Sequence, residues 1–223
     1  MRRIFYKKLD EINQDVVNMG SLVQDAVNDS LQAFLEMNVD LAKEVIERDE
    51  RINEYDISIE EKCIVIQAEH QPVAFDLRFL HSVSIIIKSL ERIGDLAVNV
   101  ARIIRRLSKD KEKKSLDKST IDLLVEMGNL VKLELAHALE AFKNRDAKLA
   151  SRLGRSDDSV DKIQKMIFKK LFAAKKEKED ISLITNIALA SRYLERMGDQ
   201  SVNIGDRILY FLTGDYTIFH DNA

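Results

Sequence analysis

The chain has 223 residues, room for one large domain or two small ones, with 45% hydrophobic and 33% charged residues, one proline, seven glycines and no tryptophan. So few turn formers exclude a β-sandwich and point to an all-α protein of long helices. A net charge of −3, from 35 basic and 38 acidic residues mixed along the chain, offers no basic face for nucleic acid, and Cys63, being alone, excludes an intrachain disulfide.

The first helix is predicted over residues 5–37. The opening MRRIFYKKLDEI becomes charged too soon for a secretory signal, and no run of about 18 uncharged apolar residues follows anywhere. A soluble, cytoplasmic protein is expected. Asn38 is suited to cap a second helix over 39–69, which the HQP stretch with Pro72 ends, and a third is predicted over 74–107. The run KDKEKKSLDK at 109–118 reads as a solvated connector, its lysines interrupted by acids. Beyond it, helices are predicted over 119–143, 146–176 and 181–212, with Gly214 as a C-terminal stop. Helices of roughly 30 residues are about 45 Å long, and short loops force such neighbours antiparallel. The expected fold is therefore all-α, two tandem three-helix bundles related by internal duplication, over residues 1–110 and 111–223.

The duplication is written in the residues. Met19, Gly20, Leu22, Val23, Leu31, Ala33 and Phe34 recur as Met127, Gly128, Leu130, Val131, Leu139, Ala141 and Phe142, at an offset of 108. The same offset carries Asp49, Ile52 and Asn53 onto Asp157, Val160 and Asp161. Then LERIGDLAVNV at 90–100 recurs as LERMGDQSVNI at 194–204, offset by 104.

On a helix, Val83, Ile87, Leu90, Gly94, Ala97, Ala101 and Ile104 fall alternately four and three apart, a packed seam. Ile187, Ser191, Leu194, Gly198, Ser201, Gly205 and Ile208 repeat it. An interior glycine costs about 1 kcal/mol relative to alanine, so Gly94 and Gly198 are read as thinning the helix where a neighbour crosses. Beside that seam lie Glu91, Asp95 and Asn99, and in the copy Glu195, Asp199 and Asn203, each set four apart on one face. Asp49 with Asn53 and Asp157 with Asp161 form matching polar pairs on the second helices.

Clustered carboxylates repel unless a cation neutralises them. Arg92 and Arg196 directly follow the glutamates and are expected to point about 100° away. Oxygen donors without cysteine suit magnesium, calcium, manganese or iron. The residues leave two readings open, a solvated helix face and a cation site.

The block QPVAFDLRFLHSVSIIIKSLERIGD at 71–95 resembles the first-repeat signature of the PhoU family of phosphate-signalling proteins, QPxAxDLR followed by LERIGD. LERMGDQSVNI and the terminal YFLTGD at 210–215 resemble that family's second repeat and tail, so the resemblance spans essentially the whole chain. It implies a cytoplasmic, dimeric negative regulator of phosphate uptake and of the phosphate-starvation response, with no catalytic role. The implied partners are a Pst-type phosphate ABC transporter and a PhoR-type sensor kinase. It also implies metal ions (iron, zinc, manganese or magnesium) on Asp49, Glu91 and Asp95, and on Asp157, Asp161, Glu195 and Asp199. Asn53 departs from the acidic form of the motif. Asp76 and Arg78 of the DLR block are read as structural.

Two rivals remain. A di-iron carboxylate enzyme would need Glu-x-x-His on each of two helices. Glu134-Leu-Ala-His137 is one match, but its copy reads Ala26-Val-Asn-Asp29. The other rival is a metal-free helical adaptor whose acids meet a basic partner.

Overall fold

The second helix starts after Asn38 and the last stops before Gly214, where the sequence places them. The structure, a computed structural model, describes residues 2–108, 117–174 and 181–215, and for residues 2, 154–158 and 174 the backbone alone. Among the described residues there are seven α-helices and no strand: α1 (Arg2–Glu36), α2 (Val39–His70), α3 (Ala74–Leu107), α4 (Lys118–Asn144), α5 (Ala147–Ala150), α6 (Leu153–Ala174) and α7 (Ile181–Thr213). The Asn38 side chain accepts from the backbone N–H groups of Asp40 and Leu41, at 3.2 and 3.0 Å, and so caps α2. Its counterpart Asp146 accepts from Lys148 and Leu149, at 2.9 and 3.0 Å.

The duplication reaches the backbone just before these caps. Met37 and Arg145 both adopt left-handed φ, 53° and 52°. Each is followed by a residue whose N–H returns to the preceding helix, Asn38 to Ala33 O and Asp146 to Ala141 O, both at 2.9 Å. This is the Schellman way of satisfying orphan carbonyls, built here without glycine. Gly214, at φ 77°, donates to Tyr210 O at 2.7 Å and stops α7 as predicted.

One predicted helix is broken. The stretch expected as continuous from 146 divides into α5 and α6 around Ser151 and Arg152. The Ser151 hydroxyl donates to the Lys148 carbonyl at 2.9 Å, a local bond that competes with the helix ladder. The broken stretch presses on Gly205, where an added Cβ would lie 2.6 Å from Leu153 Cδ1 and 3.1 Å from the Ala150 carbonyl oxygen. The first repeat has Ala101 at the equivalent place, and α2 runs on unbroken. The boundary expected between 110 and 111, and residues 109–116 of the basic connector, lie outside the described residues.

Ion pairs set the first three helices antiparallel. Lys8–Glu69, Lys62–Asp15 and Arg48–Asp29 staple α1 to α2 along its length, and Lys88 joins α3 to Asp56 and Glu60 of α2. The two repeats then join face to face. A Cβ on Gly20 of α1 would lie 3.0 Å from Leu139 Cδ1 of α4, and one on Gly128 of α4 would lie 3.0 Å from both Leu31 methyls of α1. Gly20 and Gly128 are equivalent, as are Leu31 and Leu139, so each repeat inserts the same leucine onto the other's glycine. Such an exchange is what a twofold relation requires. It also sets α1 antiparallel to α4.

α3 and α7 pack together more extensively than any other pair of helices. They too are antiparallel, since Phe75 and Phe79 near the start of α3 meet Phe211 near the end of α7, ring centroids 6.0 and 5.5 Å apart. Phe142 of α4 joins this aromatic cluster, 6.2 Å from Phe79 and 6.4 Å from Phe211. All fourteen predicted seam positions on α3 and α7 are buried. The two bundles therefore share one continuous core, with α3 and α7 at its centre and α2 and α6 on opposite flanks. Cys63 belongs to that core, and burial pushes its thiol up to about 11. Among the described residues no helix is long and apolar enough to cross a membrane.

Candidate functional site

Gly94 brings α2 against α3 as the seam requires. A Cβ there would lie 3.1 Å from Ile52 Cδ1 and 3.3 Å from Asp49 Oδ1. The close approach that the glycine permits therefore lays the Asp49 carboxylate over α3, between Glu91 and Asp95. Gly94 has a packing role and, through it, an electrostatic one.

The first cluster carries the marks of crowded carboxylates. Lost hydration, then the neighbouring Asp95, raise Asp49 above the ordinary carboxylate range, opposed by Arg102 and by a hydrogen bond from Asn53. Glu91 is raised by lost hydration, then by Asp95, Asp56 and Asp49, with Lys88 opposing. The structure thus places Asp49, Asn53, Glu91 and Asp95 along one groove between α2 and α3. Asn53 is exposed and supports Asp49 with its amide, adding no further charge.

The sequence reading missed the ends of this cluster. Asp49, Asn53, Asp56 and Glu60 form one stripe on α2, stepped four, three and four. Lys88, Glu91, Asp95, Asn99 and Arg102 face it on α3, stepped three, four, four and three. Lys88 Nζ donates to Asp56 Oδ2 at 2.6 Å and to Glu60 Oε2 at 3.0 Å. Asp56 is 8% exposed, with Oδ1 making no hydrogen bond. At the other end Arg102 donates to Asn99 Oδ1 at 3.2 Å and bears on Asp49. Extending the predicted acidic face by one helical turn in each direction would have found these residues.

The second cluster is built differently. Asp161 of α6 and Asp199 of α7 are neighbours, and lost hydration followed by Asp161 raises Asp199. Glu195 is buried and accepts from Arg192 one turn earlier, at 2.7 Å. Arg192 and Arg196 both oppose the rise at Asp199. Arg196 directly follows Glu195 but is three residues from Asp199, and a residue at i+3 is a neighbour on a helix surface. Asp157 lies on α6, with its side chain outside the described residues.

The donor chemistry of the first cluster, carboxylates and one amide, suits a hard cation. The donors nevertheless form a row along the α2–α3 groove. Among the described residues, no three His, Cys, Asp or Glu side chains converge as metal ligands. For the di-iron alternative, Glu134 is buried and His137 half-buried on α4, while Asp29, in the place of that histidine in the first repeat, pairs with Arg48 at 2.5 Å.

Two helical repeats about a pseudo-twofold, fused into one core, make this an all-helical tandem-repeat protein. The PhoU domain model matches residues 16–104 and again 124–208. The phosphate-specific transport system accessory protein PhoU homolog of Clostridium acetobutylicum is 32% identical over 99% of both chains. The crystal structure of PhoU from Pseudomonas aeruginosa superposes with a TM-score of 0.89 at 34% identity, covering 95% of this chain and 100% of that one. That of the phosphate transport system regulatory protein PhoU from Streptococcus pneumoniae gives 0.87 at 28% identity, covering 95% and 98%. The chain belongs to the PhoU family.

Proposed function

We propose that this chain is a cytoplasmic regulator of a phosphate-specific ABC transporter, restraining uptake when phosphate is plentiful and damping the phosphate-starvation response through a PhoR-type sensor kinase. The carrying observation is the match over nearly the full length to relatives named as accessory and regulatory proteins of phosphate transport. The chemistry of the molecule agrees with a regulatory role. Its acids form grooves along rigid helices, and the relatives are named for accessory and regulatory roles. Deleting the gene should raise phosphate uptake and starvation-reporter expression in high phosphate. Unchanged uptake and reporter activity would overturn the reading. Capture of the transporter and the kinase by the tagged chain identifies which partner it engages, and sedimentation velocity tests the homodimer that the reading includes.

The same reading assigns a cation to each acidic groove, among Asp49, Asn53, Glu91 and Asp95 in the first and Asp157, Asp161, Glu195 and Asp199 in the second, with the carboxylates of each row drawing together around it. Magnesium, manganese, iron or zinc would supply positive charge that relieves the repulsion raising Asp49, Glu91 and Asp199. The side chains would hold α2 to α3 and α6 to α7 more tightly in consequence. Elemental analysis of protein purified without added metal, with melting curves across these four ions, tests it. No bound ion and no change in melting temperature would leave the metal-free adaptor.

A further inference from the structure

A second polar feature lies on the other side of α3, where it crosses α7. A half-open cleft of about 270 Å³ is lined by Ile85, Lys88, Ser89 and Arg92 of α3 and by Gln200, Asn203 and Arg207 of α7. Three cationic side chains, one hydroxyl and two carboxamides line it, and no carboxylate does. Lys88 is shared with Asp56 and Glu60 on α2, so it also links this cleft to the first acidic groove. Arg92 is exposed, and among the described residues it pairs with no carboxylate.

The internal symmetry shows that the cleft is particular to one crossing. On the opposite side of the pseudo-twofold, Ser89, Gln200 and Arg207 are replaced by Tyr193, Leu96 and Ile103. Those three side chains pack into the hydrophobic core. One crossing of α3 and α7 is thus closed with apolar side chains, and its twin is open and lined with donors.

We propose that the cleft between α3 and α7 binds a multiply charged oxyanion of the phosphoryl type, with Arg92 and Arg207 as its principal donors. Guanidinium groups match phosphoryl oxygens in charge and in the geometry of their paired N–H groups. Ser89, Gln200 and Asn203 can complete the hydrogen bonding, and the shared Lys88 adds a further cation. Inorganic phosphate and the phosphoryl end of a nucleotide present the same chemistry. The inference stands independently of the regulatory reading, because it concerns a binding equilibrium of the isolated chain.

The test is calorimetric titration of the full chain with inorganic phosphate, pyrophosphate and ATP in separate arms at constant ionic strength. Saturable binding, weakened about tenfold or more in Arg92→Gln, is expected, because a charge-assisted hydrogen bond is lost. Arg92→Lys should retain part of the affinity, and Arg105→Gln, at an exposed position of α3 outside the cleft, should retain all of it. Ser89→Tyr, copying Tyr193, should block the cleft and abolish binding; circular dichroism checks that each variant is folded. Saturation by phosphate alone identifies the free ion, and saturation by ATP or pyrophosphate only identifies a larger phosphorylated ligand. No saturable binding in any arm, or binding indifferent to both Arg92→Gln and Ser89→Tyr, overturns the proposal.

Discussion

The two acidic grooves occupy equivalent places in the two repeats, yet they are counterbalanced differently. In the first, the carboxylates are bracketed by Lys88 at one end and Arg102 at the other. In the second, Arg192 stands in the place of Lys88, Gln164 replaces Asp56, Phe168 replaces Glu60 and Asp206 replaces Arg102. Loss of hydration pushes Asp206 up to about 6, with Arg207 opposing. The duplication kept the central acids and changed the charges around them. The first groove thus resembles an ion-pair network with an acidic middle, and the second an acidic row open at one end.

That contrast can be broken most severely through the glycines. Gly94→Leu should cost about 3 kcal/mol, because Ile52 and the Asp49 carboxylate leave no space above α3. Urea unfolding measures it, and a loss below 1 kcal/mol would mean that α2 is free to move away. The alanine variants separate the repeats more finely. Gly94→Ala meets a flexible isoleucine tip at 3.1 Å, so strain and the gain in helix propensity should nearly cancel. Gly205→Ala should cost more than Gly94→Ala, since the Ala150 carbonyl at 3.1 Å is backbone and cannot rotate aside.

The next effect concerns the counter-charge. Lys88→Met strands Asp56, whose side chain is 11% exposed, and should cost about 2 kcal/mol by denaturant unfolding. Adding Asp56→Gln, which copies Gln164, should recover most of that loss. If the double variant is no more stable than Lys88→Met alone, the pair does not account for the difference between the grooves.

A smaller effect than those of Gly94→Leu and Lys88→Met is a dependence on pH. Folded, Asp206 holds its proton up to about pH 6, against an ordinary value of 3.8. Between those values the folded chain binds more protons than the unfolded one, so stability falls as pH rises through that window and then levels off. Asp206→Asn should shrink this decline, to which the raised Asp49, Glu91 and Asp199 also contribute, and raise stability at pH 7 by about 1 kcal/mol, after allowance for partial solvent screening. Melting curves from pH 4 to 8 measure it, and a wild-type profile that rises across the same window would contradict the assignment.

Much of this was legible in the residues. The cap at Asn38, the stop at Gly214 and the buried seams on α3 and α7 depend on local periodicity and capping, which act within a few residues of chain. The approach of Asp49 to Glu91 and Asp95 was legible as well, because a repeated interior glycine signals a close crossing. The outer members of the groove were not found, since Lys88 and Arg102 look like ordinary surface charges until α2 is laid against α3. The break between α5 and α6 was also hidden, because it answers to Gly205 some fifty residues away.

By itself the sequence determined an all-helical chain written twice, with glycines that thin its helices and acids set on one face beside them. Those properties follow from the 3.6-residue repeat and from side-chain chemistry alone. Only the tertiary structure decided that Gly20 receives Leu139 while Gly128 receives Leu31, and that α3 and α7 fuse the two bundles into one core. It likewise decided that one crossing of those helices is closed by Tyr193 and that its twin is left open beside Arg92. The reason is physical. A helix face is fixed by its own residues, but its partner is selected by shape and burial between segments far apart in the chain.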